Sequence, residues 1–382
     1  MRAMKPIFTL FFFFSLALSS WAVTTGLRDL SLAAPGGAFP DPAFQPTIYD
    51  YHLTVPFDIG EMQVRTVAAD PKATTRMNGE TVPDGSPWIL HLTPGPNKLV
   101  ITVLNADNTQ STYTVLTIRE DITPLCDKFM RSSMTDLESG KSMNYRLFVP
   151  SGALTTAQTL TTIGPKKLWP LVVFLHGGAE RGNDNDVQIK ANNGAVMWAR
   201  PEEQSRHPCF VFAPQAKNSA TGGFGLTRDN DNTTISLSRV FEASDDLRLC
   251  AKALFKVMID WPVDRRRIYF VGVSQGAFGV WNLAMAYPDL PAAIVSVSGG
   301  GDPLRAFQVQ KIPSWVFHAE LDTIIPVSYS RNLVASLRNL GANPIYVEYN
   351  RDTWFGSSEH FAWLIAFRHP GLRDWLFKQK RP

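Results

Sequence analysis

A serine lies between two glycines directly after an apolar run in the second half of the chain. Residues 268–271 predict a buried strand, and Gly272, Ser274 and Gly276 follow it in a G-x-S-x-G pattern. Glycine on both sides permits a sharp turn from strand to helix, because a side chain there would collide with either element. A hydroxyl raised out of a sheet in this way can attack a carbonyl carbon. Ser274 is therefore the candidate nucleophile.

A serine hydroxyl needs a base to remove its proton, and histidine is the usual base. In α/β folds with this turn the chain order is serine, acid, histidine, so the base is expected after Ser274. His318 lies at a strand end ahead of the best-placed acids, which fits the third place poorly. His360 precedes the apolar residues 361–367, which can steady it, whereas His369 stands in a surface-like turn. We favour His360 and keep His369 as the alternative.

The acid that orients the histidine should come from a loop at the carboxyl end of a later strand. The strand predicted at residues 314–317 leads into a loop that carries both Glu320 and Asp322. Asp322 is the preferred acid and Glu320 its rival from the same loop. Without Ser274 and His360, either would be taken for a solvated loop carboxylate.

Acyl transfer also needs backbone N–H groups for the oxygen that becomes negative in the transition state. Gln275, the residue after the nucleophile, should supply one of them. The other is expected from the glycine-rich loop 176–179, which directly follows a predicted strand at residues 171–175. Gly178 is the preferred donor and Ala179 the next choice.

These residues sit in a segment, residues 122–382, that alternates strands with helices. This alternation predicts a mostly parallel sheet with helices on both faces. The predicted strands are at residues 143–149, 171–175, 209–213, 268–271, 292–297, 314–317 and 344–348, and the helices at 244–258, 275–287, 328–340 and 372–378. A threonine-rich stretch at residues 152–164 is expected to form a loop.

Residues 23–121 have a different pattern, with short strands separated by turn residues and no helical period. The predicted strands are at residues 49–55, 62–67, 88–92, 98–103 and 111–118, with a hairpin turn at 105–108. This spacing predicts a small antiparallel β-sandwich.

Composition narrows the partners and cofactors. The 37 basic and 34 acidic residues are interleaved, which gives little reason to expect nucleic acid or an anionic membrane as a partner. Only three cysteines are present, Cys126, Cys209 and Cys250, and buried thiols are as reasonable an interpretation as one disulfide. The acidic runs 184–186 and 229–231 lack the pattern of a calcium loop. We expect no metal and no cofactor.

The N-terminus has the pattern of an export signal. Arg2 and Lys5 precede an apolar block at residues 7–18, and small residues lead to a cleavage site after Ala22. Residues 1–22 are therefore predicted to be a signal peptide that is removed. The mature chain is expected to lack a membrane span and to be secreted or periplasmic.

Residues 23–121 resemble cadherin-like β-sandwich domains found beside catalytic domains. The matching residues are Leu27, Leu30, Pro42, Ala43, Phe44, Tyr51, Val55, Pro56, Ala69, Asp70, Pro71, Asn78, Gly79, Gly95, Asn97, Tyr113, Thr117, Ile118 and Arg119. They are mostly core and turn positions, so the resemblance implies a fold. A spacer or packing role is favoured over carbohydrate binding.

Residues from Cys126 onward resemble secreted α/β-hydrolase esterases of the carboxylesterase, phospholipase-like and predicted peptidase group. The matching segments read LHGGAERGNDN, APQ, RIYFVGVSQGAFG, HAELDTIIP, SSEH and DWLFKQK. The resemblance implies an α/β-hydrolase fold with Ser274, Asp322 and His360 as nucleophile, acid and base, and Gly178 and Gln275 as the oxyanion hole.

The implied activity is hydrolysis of a carboxylic ester, with a small-molecule or polysaccharide-linked ester as substrate. A serine peptidase of the same fold is one alternative, since the same three residues can cleave amides. A noncatalytic cell-wall or polysaccharide binder is the alternative from another class. Neither the substrate nor the oligomeric state follows from the sequence.

Overall fold

The structure is a computed structural model that describes residues 25–35, 43–160, 167–219, 222–225, 227–228, 235–237, 239–353, 356 and 358–382. The predicted signal peptide, residues 1–22, lies outside these ranges. Within them, no helix is both long enough and apolar enough to cross a bilayer.

The N-terminal part is an all-β sandwich of two sheets around one apolar core. Its strands are β1 (Leu27–Ala33), β2 (Asp50–Val55), β3 (Glu61–Ala68), β4 (Thr74–Met77), β5 (Glu80–Val82), β6 (Trp88–His91), β7 (Gly95–Leu104) and β8 (Gln110–Arg119). One sheet has the order β1-β3-β6 and the other β2-β8-β7-β4-β5. Alternate side chains of these strands point into the core, as in β3, where every second residue is buried.

One strand pair corrects the predicted antiparallel arrangement. β2 and β8 run parallel, with Tyr51 opposite Val115, whereas β7 and β8 form the expected antiparallel hairpin. More than fifty residues separate β2 from β8, so no short turn forces them to be antiparallel. The hairpin turn closes where it was predicted, with Asn105 N–H donating to Thr109 O at 2.9 Å.

The C-terminal part is built on a mostly parallel eight-stranded sheet. The strands of this part are β9 (Phe129–Thr135), β10 (Ser142–Phe148), β11 (Trp169–Leu175), β12 (Phe210–Gln215), β13 (Thr227–Arg228), β14 (Ile235–Ser236), β15 (Val263–Val273), β16 (Ala293–Val297), β17 (Ser314–Ala319) and β18 (Ile345–Tyr349). The order is β18-β17-β16-β15-β11-β12-β10-β9, while β13 and β14 pair separately. The six strands from β18 to β12 are mutually parallel and β9 and β10 add an antiparallel edge, so the loops after β11, β15 and β17 meet at one edge.

Helices cover both faces of this sheet. They are α1 (Thr123–Cys126), α2 (Thr156–Leu160), α3 (Val187–Lys190), α4 (Pro201–Arg206), α5 (Asp245–Asp260), α6 (Gln275–Ala286), α7 (Ser328–Asn339), α8 (Trp363–Ala366) and α9 (Leu372–Lys378). One apolar core forms beneath α5, α6 and α7, and a second beneath α3, α8 and α9. Ser244 caps the N-terminus of α5, since its Oγ accepts from Leu247 N–H.

Several short elements were not predicted. The stretch expected to be a loop at residues 152–164 contains α2, and its residues 161–166 lie outside the described ranges. β9 was missed because its polar residues give a weak alternating pattern, and it is an edge strand. Cys126, Cys209 and Cys250 are all buried free thiols.

Polar and apolar contacts join the two parts. Glu120 accepts two hydrogen bonds from the Arg200 guanidinium, at 2.6 and 2.8 Å. Arg368 forms an ion pair of 2.5 Å with Asp58 of the sandwich, whose side chain is 1% exposed. Phe57, also from the sandwich, packs into the core beneath α3, α8 and α9. The sandwich is thus packed directly on the C-terminal part.

Candidate active site

Ser274 occupies a strained turn between β15 and α6. Its φ of 53° and ψ of −119° lie in a region that residues other than glycine rarely adopt, and this backbone conformation costs about 1–3 kcal/mol. Its N–H donates to Val297 O at 2.9 Å, which ties the turn to the end of β16. Strain of this kind persists only when the surrounding structure holds it in place.

The two glycines of the pattern permit this turn because backbone atoms press on both. A Cβ at Gly272 would overlap the carbonyl oxygen of Gly276. A Cβ at Gly276 would overlap Leu175 O at the end of β11. The turn is thus packed against the strand that leads to the glycine-rich loop.

A chain of two hydrogen bonds connects the serine, the histidine and the aspartate. His360 Nδ1–H donates to Asp322 Oδ2 at 2.7 Å, and Nε2 accepts from the Ser274 hydroxyl at 2.8 Å. All three residues are at most 7% exposed. Their geometry and order are those of a nucleophile, a base and an orienting acid.

Different elements hold the base and the acid. His360 lies in a short 3-10 turn, Glu359–Phe361, where Ser358 Oγ accepts from the His360 N–H at 3.2 Å. The first residue of α8, Trp363, packs edge-on against the His360 ring with 5.3 Å between ring centroids. The apolar segment after His360 therefore steadies the ring, as its sequence indicated.

Asp322 lies in the loop after β17 and is saturated with hydrogen-bond donors. Its Oδ1 accepts from Ile324 N–H and Ile325 N–H, both at 2.9 Å. Burial alone would raise the pKa of Asp322, but hydrogen bonds from His318 and His360 outweigh burial and hold that pKa well below its ordinary value. The acid is therefore ionised at any pH at which the histidine can act as a base.

The predicted oxyanion loop lies against the nucleophile. Gly178 begins a short 3-10 helix after β11, and Gln275 is the first residue of α6. A Cβ at Gly177 would be 3.4 Å from the Ser274 Cβ, so the loop backbone passes close to the serine. Ala179 lies one residue further along the same 3-10 helix. Gly178 and Gln275 thus flank the site where an oxyanion would form.

His176 shapes this loop, although the sequence gave it no part in the site. Its Nδ1–H donates to Gly177 O at 2.6 Å, and its Nε2 accepts from Ala216 N–H at 3.0 Å. Burial lowers the pKa of His176 to about 4, so the ring is neutral at neutral pH. It links the glycine-rich loop to the end of β12.

Glu180 is a second residue that sequence reasoning missed. Its side chain is buried beside the glycine-rich loop, where Oε1 accepts from Asn192 Nδ2 at 3.1 Å. A Cβ at Gly177 would be 2.9 Å from Oε2, and among the described residues Oε2 has no hydrogen-bond partner. Burial raises the pKa of Glu180. Its place in the segment LHGGAERG was the available signal.

The rival candidates lie elsewhere. A ring nitrogen of His369 is 2.8 Å from Pro370 O, and the ring packs on Trp315. Glu320 is partly exposed and sits 3.8 Å from the Arg351 guanidinium. Neither contacts Ser274, so the structure brings together the preferred base and acid.

The acidic run 184–186 has contacts that do not suit calcium. Asp186 forms ion pairs with Arg131, Arg146 and Lys190, which occupy its carboxylate. Asp184 Oδ1 accepts from backbone N–H groups. The run 229–231 is outside the described residues, and the part of the chain that is described holds no cluster of three or more metal-ligating side chains.

The C-terminal part has the α/β-hydrolase fold, and its serine, histidine and aspartate have the arrangement that such hydrolases use. Residues 241–353 match the Phospholipase/Carboxylesterase family, and residues 27–120 match the cadherin-like beta sandwich domain. The chain therefore combines a cadherin-like sandwich with a hydrolase domain similar to carboxylesterases and phospholipases, as the sequence predicted.

Solved structures that are similar to this chain include esterases. A thermostable esterase superposes with a TM-score of 0.61 at 27% identity, over 86% of this chain and 99% of that one. A ferulic acid esterase gives a TM-score of 0.45 at 13% identity, over 66% of this chain and 98% of that one. A substrate-bound fluorophosphonate-binding serine hydrolase from Staphylococcus aureus gives 0.45 at 11%, over 65% and 98%. No curated protein matches the chain.

Proposed function

We propose that this protein is an exported serine hydrolase that cleaves carboxylic esters through an acyl-enzyme. The observation that carries the proposal is the hydrogen-bonded chain from Ser274 through His360 to Asp322, built on the strained turn after β15. The match of residues 241–353 to carboxylesterases and phospholipases supports ester substrates, as does the likeness to a thermostable esterase.

Acylation begins at the serine. His360 Nε2 takes the hydroxyl proton as Ser274 Oγ attacks the ester carbonyl carbon, and the carbonyl oxygen becomes an oxyanion. The N–H groups of Gly178 and Gln275 stabilise that oxyanion. The protonated His360 then gives its proton to the departing alcohol oxygen, so the ester C–O bond breaks and an acyl-serine remains.

Deacylation repeats these steps with water. His360 takes a proton from a water molecule, whose oxygen attacks the acyl carbon, and the proton returns to Ser274 Oγ as the acid product leaves. Asp322 stays ionised throughout, because four donors surround its two carboxylate oxygens. It keeps the proton on Nδ1 and stabilises the imidazolium that forms twice in each turnover.

Replacement of the nucleophile tests this function. Ser274→Ala should lower the kcat for p-nitrophenyl ester hydrolysis by roughly 10⁶-fold, the scale seen when an activated serine is lost. A fluorophosphonate probe should label the wild type and not the variant. The matched control is Ser205→Ala, an exposed serine of α4 whose Oγ donates to Glu202 O. Substantial activity in Ser274→Ala would sink the proposal.

The same enzyme preparation separates ester from amide chemistry. We expect p-nitrophenyl esters and short acyl esters to be cleaved far faster than chromogenic peptides of matched acyl groups. Failure of the probe to label wild-type protein would instead favour a noncatalytic binder.

Export is proposed from the N-terminus alone. The basic residues Arg2 and Lys5, the apolar block at residues 7–18 and the small residues ending at Ala22 support a cleaved signal peptide. Expression of the full chain in a bacterium should give a mature protein that begins at Val23, detected by N-terminal sequencing of the periplasmic or secreted fraction. A cytoplasmic protein that retains Met1 would contradict export and leave the esterase proposal unaffected.

A further inference from the structure

His318 lies on β17, four residues before Asp322, and its ring is fully buried beside that carboxylate. Its Nε2 is 2.9 Å from Ile325 O and 3.2 Å from Asp322 Oδ2, the oxygen that also accepts from His360. Its Nδ1 is 2.8 Å from Ser330 Oγ on α7. No step of the mechanism above uses this histidine.

The hydrogen bonds around His318 determine where its protons are. Ser330 Oγ is 2.6 Å from Gly299 O, and since a carbonyl oxygen can only accept, the serine hydroxyl proton lies on that bond. Ser330 can then only accept from the ring, so His318 Nδ1 carries a hydrogen. On the other side Ile325 O and Asp322 Oδ2 are both acceptors, so Nε2 carries one too. A ring with both nitrogens protonated is an imidazolium.

His176, which is also fully buried in the site, gives a different result by the same reasoning. His176 has one acceptor partner, Gly177 O at Nδ1, and one donor partner, Ala216 N–H at Nε2. That arrangement requires a single ring proton and a neutral ring. The hydrogen-bond partners of His318 thus require two protonated ring nitrogens, and those of His176 require only one.

The charges that face His318 accommodate a cation. Asp322 faces it from the loop after β17, and Glu348 is its strand partner on β18. Glu348 pairs with the Arg331 guanidinium from α7, at 2.9 Å for the Nε bond, and accepts from the Tyr346 hydroxyl at 2.6 Å. Two carboxylates and one guanidinium leave one negative charge over, which an imidazolium at His318 would balance.

We propose that His318 is a positioning residue of the site, present as an imidazolium that donates to the same Asp322 oxygen as His360. This inference rests on the proposed esterase function for its kinetic consequences and on hydrogen-bond geometry for the charge itself. The cation fixes the carboxylate in place and offsets part of its charge. It thereby limits how strongly Asp322 favours the protonated form of His360 before substrate arrives.

The charge can be measured without turnover. Ring ¹⁵N and ¹H NMR spectra of histidine-labelled Ser274→Ala protein at pH 7.5 should contain two exchange-protected N–H signals for His318 and one for His176, which serves as the internal control. Loss of the pair of signals in Ser274→Ala/His318→Gln assigns them. A single N–H signal for His318, with the other nitrogen unprotonated, would overturn the inference even if Ser274 proves to be the nucleophile.

Kinetics test the positioning role. Glutamine keeps an N–H near the place of Nε2 but cannot carry charge, so His318→Gln should move the acidic limb of the kcat/KM profile up by about one pH unit. Its plateau kcat/KM should fall roughly 10-fold, as for other residues that orient a functional group. Ser330→Ala removes the acceptor that requires the second proton. It should move the limb in the same direction with a smaller loss at the plateau.

The matched control is His207→Gln, which alters a half-buried histidine that hydrogen-bonds Glu203 and stacks on Phe377. Its acidic limb should coincide with that of the wild type. If His318→Gln and Ser330→Ala also keep the wild-type limb while their plateau activity falls, His318 acts only through packing and the inference is wrong. If Ser274→Ala retains full activity, the proposed function fails instead, and the NMR result still decides the charge.

Discussion

At the scale of single residues, buried titratable side chains of the site have different protonation demands. Asp322 must be ionised, His176 must be neutral, and Glu180 is pushed toward its neutral form by burial. Perturbed groups collected in one cleft are a frequent feature of active sites.

The raised pKa of Glu180 predicts a pH-dependent stability. Between the pKa of Glu180 in the unfolded chain and its higher pKa in the folded protein, the folded state binds more protons, so the free energy of unfolding falls as pH rises. Above the folded-state pKa the full cost of burying the carboxylate charge is present. Glu180→Gln keeps an acceptor for Asn192 and has no charge to bury. The variant should therefore unfold at a higher urea concentration than the wild type at pH 8, with a difference that shrinks toward pH 4.

The control for this prediction is Glu138→Gln, whose side chain is 88% exposed. Its unfolding midpoint should follow that of the wild type at every pH. A Glu180→Gln effect of equal size at pH 4 and pH 8 would show that lost hydrogen bonding, not buried charge, determines the change.

At the scale of elements, the turn between β15 and α6 depends on the end of β11. A Cβ at Gly276 would overlap Leu175 O, and backbone atoms cannot move aside as a flexible side chain can. Gly276→Ala should displace Ser274 and lower kcat/KM by roughly 100-fold, since an error of about 1 Å at a reacting group can cost that much. The comparison is Gly60→Ala in the sandwich, where a Cβ would meet no atom within 4 Å.

Fluorophosphonate labelling rates report on this prediction directly. Gly60→Ala should be labelled at the wild-type rate and Gly276→Ala far more slowly, with both proteins folded by circular dichroism. Equal labelling rates for the two variants would contradict the steric argument.

Much of this element-scale arrangement could be predicted because its signals are local. The glycines around Ser274 and the apolar run before it indicated a strand, a turn and a helix within ten residues. Asp322 and His360 followed from the order of a loop acid and a loop histidine along the chain. The helix at residues 372–378 also lies where it was predicted.

What could not be predicted depends on distant partners. His318 was set aside as a base. Its contact with Ser330, whose hydroxyl donates to Gly299 O, exists only because α7 packs over the end of β16. In the sequence Glu180 resembles an ordinary acidic loop residue, and only the structure shows that it is buried and accepts a hydrogen bond from Asn192. The parallel pairing of β2 with β8 likewise carries no local mark, because parallel strands need no characteristic turn.

At the scale of the whole molecule, an ion pair holds the sandwich against the catalytic part. Asp58 is buried, and Arg368 is its partner across the interface. Arg368→Met would leave that carboxylate buried and unpaired, which should lower the free energy of unfolding by about 3–5 kcal/mol. Arg206→Met removes an exposed pair with Asp374, and it should cost no more than about 1 kcal/mol.

Chemical denaturation of both variants tests this difference. Asp58→Asn/Arg368→Met removes the stranded charge and should recover part of the stability that Arg368→Met loses. If the single and double variants are equally unstable, the interface depends on the shape of the Arg368 side chain and not on its charge.

Phe57 and Glu120 belong to the sandwich but contact the C-terminal part, and this limits how the two parts can be exchanged. The Phe57 side chain packs into the apolar core of the C-terminal part. Glu120, the last residue that matches the sandwich family, accepts hydrogen bonds from Arg200. A gene that begins after residue 121 would encode a C-terminal part whose apolar core lacks the Phe57 side chain. A different sandwich domain would keep these contacts only if it had an aromatic residue at the position of Phe57 and an acidic residue at the position of Glu120.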